Sequence, residues 1–191
     1  MILFMVRHGQ TTANVDKIYS GQMDVPLTPE GRAQAQSIRP VLEKVKFDKV
    51  YSSDLSRAVD TQKLALPGYE GIQTPLLREY DTGYLQGRHY GDYPQELKEQ
   101  FQATKNYSIF GGESTQEVCD RVAQFQRMLE QEALENVAAF AHNGVLNCML
   151  QNVLGVSFDK GAVRNNNCTI HVYEYDGQKW RLIALNYMAE V

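Results

Sequence analysis

Two arginines and two histidines stand at places where the chain stops being apolar. "FMVRHGQTTAN" (4–14) sets Arg7 and His8 at the end of an apolar run, "SSDLSRAVDT" (52–61) carries Arg57, and "NVAAFAHNG" (136–144) ends a second apolar run in His142, Asn143 and Gly144. An arginine fork matches phosphate oxygens two at a time, and a neutral imidazole attacks phosphorus. Taken singly, a histidine at a strand end is usually a packed residue and an arginine on a helix a solvated one. Together they describe an anion that is bound and attacked, provided the fold gathers them.

The elements that would do so can be read from the pattern. Residues 2–6 are continuously apolar, as in a strand covered on both faces of a parallel sheet, so "RHG" marks its carboxyl end. In "LTPEGRAQAQSIRPVLEKV", Thr28 suits an N-cap and Pro29 the first helical position, while Pro40 should kink or split the helix. "FDKVYSS" (47–53) reads as a strand, followed by a helix for which Ser53 is the expected cap. A helix beginning in "GGESTQEV", a strand over 136–142 and a helix closed by Gly155 come next. The last segment alternates about Asp176-Gly177, a hairpin signal. Strands alternating with helices predict an α/β fold: one domain over 1–191, a three-layer α/β/α sandwich with a mostly parallel central sheet and an antiparallel edge strand. Ligands in such sheets bind beyond the carboxyl ends of the strands, where the three polar clusters fall. The weakly patterned stretch 80–112, with a short helix after Pro94, is the expected substrate wall.

Composition narrows the classes. With 19 basic and 23 acidic residues the formal charge is −4, which argues against nucleic acid and anionic membrane as partners. Three dispersed cysteines predict reduced, buried thiols. "MILFMV" is short for a signal-peptide core and no segment approaches a membrane span, so a cytoplasmic protein is expected. A metal held by His8, His142 and Glu79 would lack the tight spacing of an HExxH motif, and neither metal nor cofactor is expected. The expected partner is a phosphorylated small molecule, and a homodimer is the assembly to test.

Six ordered blocks resemble the histidine phosphatase superfamily, the phosphoglycerate mutase-like enzymes. "RHGQTTAN" resembles its RHGxTxxN signature, and "GQMDVPLTPEGRAQA", "VYSSDLSRAVDT", "LREYDTGYLQG", "GGES" and "AHNG" resemble the blocks that follow. The resemblance implies that His8 is the nucleophile of a phosphohistidine intermediate. Arg7, Arg57 and a protonated His142 would hold the phosphoryl group, and Asn14 would add a hydrogen bond. Glu79 would be general acid and then base, carrying a proton when the leaving alkoxide departs. Ser20, Gly21 and Gln22 fall in the substrate loop, with Thr11 and Asn143 as further contacts. His89 is a candidate substrate contact, whereas His171, in the hairpin, is expected to be structural. Tyr84, Tyr90, Tyr93 and Tyr107 suggest an organic moiety with an apolar face. Asn147 departs from relatives that carry arginine there.

"GYLQG" resembles the mutase "GALQG". Against this, the stretch 88–110 has only Arg88, Lys98 and Lys105 as basic residues, and the chain stops at Val191 soon after its last strand. A site without a basic insertion and a closing tail should lose its phosphoryl group to water, so a phosphatase is expected over a mutase or a silent phosphate-binding module.

Overall fold

The apolar run near the N-terminus takes the most enclosed position available. In the computed structural model, which describes residues 1–104, 106–157 and 163–187, that run is β1 (Ile2–Arg7), the fourth strand of a six-stranded sheet. The other strands are β2 (Lys49–Ser53), β3 (Ile72–Thr74), β4 (Asn136–Ala141), β5 (Ile170–Tyr175) and β6 (Trp180–Tyr187), in spatial order β3-β2-β4-β1-β5-β6. β3, β2, β4 and β1 are parallel, while β5 runs antiparallel to both β1 and β6. Lys105 and Val191, which entered the expectation of hydrolysis, lie outside the described residues.

Helices cover both faces, giving the expected three layers. Leu3 and Met5 of β1 and Val137, Ala139 and Ala141 of β4 pack on α6 (Thr115–Glu130) and α7 (Asn143–Leu154). Val6, Ala138 and Phe140 point the other way, toward α2 (Pro29–Ser37), α3 (Arg39–Leu42) and α4 (Ser56–Ala65). Full burial of Val118, Val122, Phe125 and Leu129 along α6 contributes on the order of 1.5–3 kcal/mol per side chain. From β1 the chain winds toward β2; from β4 it crosses to β5. The topological switch therefore lies between β1 and β4, and a crevice opens there.

Local signals hold where the chemistry is local. Thr28 caps α2 with Pro29 in its first turn, and Pro40 splits rather than kinks, leaving α3 as a separate turn. Ser114 and Glu117 form a capping box on α6, and Gly155 closes α7 in the left-handed region at φ 66°. The cap expected at Ser53 is a correction. α4 begins at Ser56 after Leu55, which gives no side-chain cap; instead Asp24 Oδ1 takes the Ser56 N–H at 2.9 Å. A four-residue α1 (Thr12–Val15) and the short β3 were not anticipated.

The stretch 80–112 carries 3-10 turns at Gly83–Leu85, Gln95–Leu97 and Tyr107–Phe110 around α5 (Lys98–Thr104). It packs on a small core of its own, Leu85, Phe101 and Phe110, ringed by Tyr19, Tyr93 and Tyr107.

Candidate active site

Register brings the two histidines together. Arg7 pairs with Ala141 across β1 and β4, so the next residues, His8 and His142, leave the sheet side by side, with ring centroids 5.1 Å apart. The His8 N–H donates to the Ala141 carbonyl at 3.0 Å, fixing the His8 backbone to the neighbouring strand. Its Nδ1 lies 2.7 Å from the Gly9 carbonyl, which can only accept, so Nδ1 carries the proton and Nε2 keeps its lone pair. Burial, then Arg57 and Arg7, hold the imidazole well below its ordinary pKa of 6.5.

The turn after His8 fits because two glycines touch. A Cβ on Gly9 would stand 2.3 Å from the Gly31 carbonyl oxygen, and one on Gly31 would stand 2.0 Å from that of Gln10. Thr61 Oγ1 takes the Gly9 N–H at 3.0 Å and donates to the Arg57 carbonyl at 2.7 Å, tying α4 to the turn.

Arg57 is buried beneath the cleft. Its Nε donates to His142 Nδ1 at 3.2 Å, Nη1 to the Met23 carbonyl and Nη2 to the Gly21 carbonyl, both at 2.8 Å; burial brings its pKa down to about 10, which leaves it a cation. This overturns the protonated His142 expected from the sequence. Nδ1 accepts a hydrogen bond and therefore has no proton, and burial with Arg57, His8, Arg121 and Arg7 nearby pushes the ring well below 6.5. His142 is neutral, with its proton on Nε2, a buried atom that has no partner. Arg7 donates through Nη1 to the Asn165 carbonyl, while its buried Nε is also unpartnered. Unsatisfied donors from Arg7 and His142 are what a site for phosphoryl oxygens would present.

Glu79 comes from the opposite wall. Its carboxylate accepts from the Tyr80 N–H at 2.9 Å and from the Gly144 N–H, in the first turn of α7, at 3.3 Å. A Cβ at Gly144 would lie 2.3 Å from Glu79 Oε1, so only glycine admits the carboxylate here. The Glu79 carbonyl is held by Gln22 Nε2 at 3.2 Å and Arg121 Nη2 at 3.0 Å, and Arg121 is itself paired with Glu113 at 2.9 Å.

Of the proposed contacts, Asn14, Ser20, Gly21 and Asn143 line the cleft. Thr11 and Gln22 do not. Thr11 is fully buried, and its hydroxyl takes the Asn14 N–H at 3.2 Å while Asn14 Oδ1 takes the Thr11 N–H at 3.1 Å, a capping box that aims Asn14. Gln22 is occupied in bracing Glu79. His89 is exposed and held to the Asp16 carbonyl at 3.0 Å, away from the lining, and Tyr84 and Tyr93 pack against Phe110 and Phe101. Tyr90 and Tyr107 do line the cleft, as do Tyr19, Tyr80, Thr82 and Asn147. His171 is fully buried, in keeping with its structural assignment, with a pKa brought to about 4 by burial.

Sequence reasoning missed Asn165 and Asn167. Asn167 Nδ2 donates to the His8 carbonyl at 3.0 Å and to Asn14 Oδ1 at 3.3 Å. The run "NNN" at 165–167, just before β5, was the available signal.

Comparison with known proteins identifies the family. Residues 3–188 match the model of the histidine phosphatase superfamily (branch 1). The chain is 36% identical over 163 residues to the adenosylcobalamin/alpha-ribazole phosphatase of Escherichia coli K12, covering 82% of this chain and 80% of that one. It is 30% identical over 186 residues to a probable phosphoglycerate mutase of Salmonella paratyphi A, covering 93% and 86%. The solved mycobacterial glucosyl-3-phosphoglycerate phosphatase superposes with a TM-score of 0.84 at 27% identity, over 98% of this chain and 99% of that one. With its two histidines, two arginines and one glutamate gathered at the switch between β1 and β4, the chain belongs to branch 1 of the histidine phosphatase superfamily, an enzyme of histidine-phosphatase-type phosphoryl transfer and a phosphoric monoester hydrolase.

Proposed function

We propose that the chain hydrolyses the phosphate monoester of a small metabolite, without a metal, through a phosphohistidine at His8. The observation that carries this reading is the bare Nε2 of His8, left by the Nδ1 hydrogen bond to Gly9 and set among Arg7, Arg57 and His142. Nε2 attacks phosphorus; the P–N bond forms as the ester P–O bond breaks. Arg7, Arg57 and the Nε2–H of His142 take the equatorial oxygens, with Asn14 as a further donor, so the positive charge comes from side chains. The Glu79 carboxyl gives its proton to the leaving alkoxide. Its carboxylate then takes a proton from the water that attacks phosphorus and breaks the P–N bond.

The phosphatase relatives favour water as the acceptor, and among the described residues the lining beyond Arg7, His8 and Glu79 carries no charge that would seat a second phosphate. The "GYLQG" block and the mutase relative favour the other reading, phosphoryl return to a bound phosphoglycerate. One experiment separates them. A phosphomonoester panel is assayed with wild type and His8→Ala, with EDTA, and with or without 2,3-bisphosphoglycerate. The expected result is EDTA-resistant phosphate release that His8→Ala abolishes; mutase activity exceeding hydrolysis would overturn the assignment.

A further inference from the structure

Behind the cleft lies a hydrogen-bond chain whose direction can be read. His171 Nε2 faces two oxygens, Asn165 Oδ1 at 2.9 Å and Asn186 Oδ1 at 3.3 Å, so Nε2 carries the proton; Tyr173 OH, 3.3 Å from Nδ1, donates to that nitrogen. Thr169 Oγ1 also donates to Asn186 Oδ1, at 3.0 Å. Asn165 Oδ1 therefore accepts, and its Nδ2 donates twice: to Asn143 Oδ1 at 3.0 Å and to Asn147 Oδ1 at 2.9 Å. With both oxygens engaged by Asn165, the amide NH2 groups of Asn143 and Asn147 are left as donors on two side chains that line the cleft.

The cleft also carries an aromatic face. Tyr19 meets Tyr90 at 4.8 Å and Tyr107 at 6.1 Å between ring centroids, and all three line it. Beyond Arg7, His8 and Glu79 at the reacting end, every described lining residue is uncharged. Among those described residues none would neutralise a second anionic group, and desolvating one unpaired would be costly.

Resting on the phosphatase reading, we propose that Asn165 is a positioning residue that makes Asn143 and Asn147 a pair of amide donors. The substrate is then the phosphate ester of a neutral group, one that offers an oxygen or nitrogen acceptor to those amides and an apolar face to the tyrosines. The acceptor sits on the alcohol portion, so its loss affects recognition of that portion and not of the phosphoryl group.

The test is steady-state kinetics on the full chain with glucose 6-phosphate, a nucleoside 5′-monophosphate, 3-phosphoglycerate and phenyl phosphate, which has no acceptor beyond its phosphate. Wild type is expected to favour the better of the two neutral acceptor-bearing esters over both of the others in kcat/KM. Asn165→Leu and, separately, Asn147→Leu should lower the ratio of that ester to phenyl phosphate by about tenfold, the effect of a hydrogen bond or two. Thermal unfolding shows which variants remain folded, and either one suffices. Preference for 3-phosphoglycerate or phenyl phosphate in wild type, or an unchanged ratio in a folded variant, would overturn the inference while leaving the phosphatase intact. Absence of turnover on all four would instead remove the phosphatase reading and this inference with it.

Discussion

The proposed nucleophile is best kept from becoming a cation, and burial and two arginines hold the His8 imidazole well below its ordinary pKa. The acid limb of kcat/KM should consequently show no inflection near the ordinary value of 6.5 attributable to His8; a pH–rate profile between pH 4 and 8 checks this. Arg57 engages three acceptors at once, through Nε, Nη1 and Nη2. Lysine cannot reproduce that fork, so Arg57→Lys is expected to lower kcat by on the order of 10²–10³, read by the same assay. The positions of Arg7, His8, Arg57, Glu79 and His142 were legible because charge placed at apolar boundaries is conspicuous and their blocks follow a known order. Asn165 was not read from the "NNN" run, because three adjacent amides do not show their partners, which lie on α7 and in β5. The protonation of His142 was misread for the same reason: it depends on which nitrogen Arg57 reaches.

At the scale of elements, caps separate what is local from what is not. Ser114 lies within three residues of its partner Glu117, and Ser114→Ala should cost about 1 kcal/mol of stability by urea denaturation while leaving kcat/KM unaltered. The start of α4 instead depends on Asp24, thirty-two positions before Ser56, and no local pattern could reveal that. β3 escaped for another reason: three residues, two of them exposed, carry too little periodicity to read. The contact between α2 and the turn after β1 is tighter still. Gly31→Ala would drive a methyl group toward the Gln10 carbonyl, and the expected result is about 1–3 kcal/mol of lost stability together with lost turnover, since the displaced segment follows His8 directly. Loss of stability with full kcat would contradict this.

For the whole molecule, three buried imidazoles set the response to acid. His171 is held at about 4 in the folded chain against 6.5 when unfolded, and His8 and His142 are displaced in the same direction. Below 6.5 the unfolded chain binds protons that the folded chain refuses, so stability is complete above that pH and declines as pH falls toward 4. His171 alone would account for about 3 kcal/mol of the decline. Urea midpoints at pH 7 and pH 5 should show the fall, and His171→Gln should reduce it. The sandwich itself was legible because burial on two faces leaves unbroken apolar runs, whereas the layout of 80–112 was not, its small core being assembled from aromatic residues with no fixed period.

That small core separates two kinds of evolutionary freedom. The proposed nucleophile, His8, directly follows β1, an inner strand of the sheet, where a shift in backbone would disturb the strands on either side. The stretch 80–112, which supplies Tyr80, Thr82, Tyr90 and Tyr107 to the cleft, holds together around Leu85, Phe101 and Phe110, apart from the two principal cores. A graft of 80–112 from a relative should therefore carry a substrate preference with it and leave the phosphohistidine chemistry of the host.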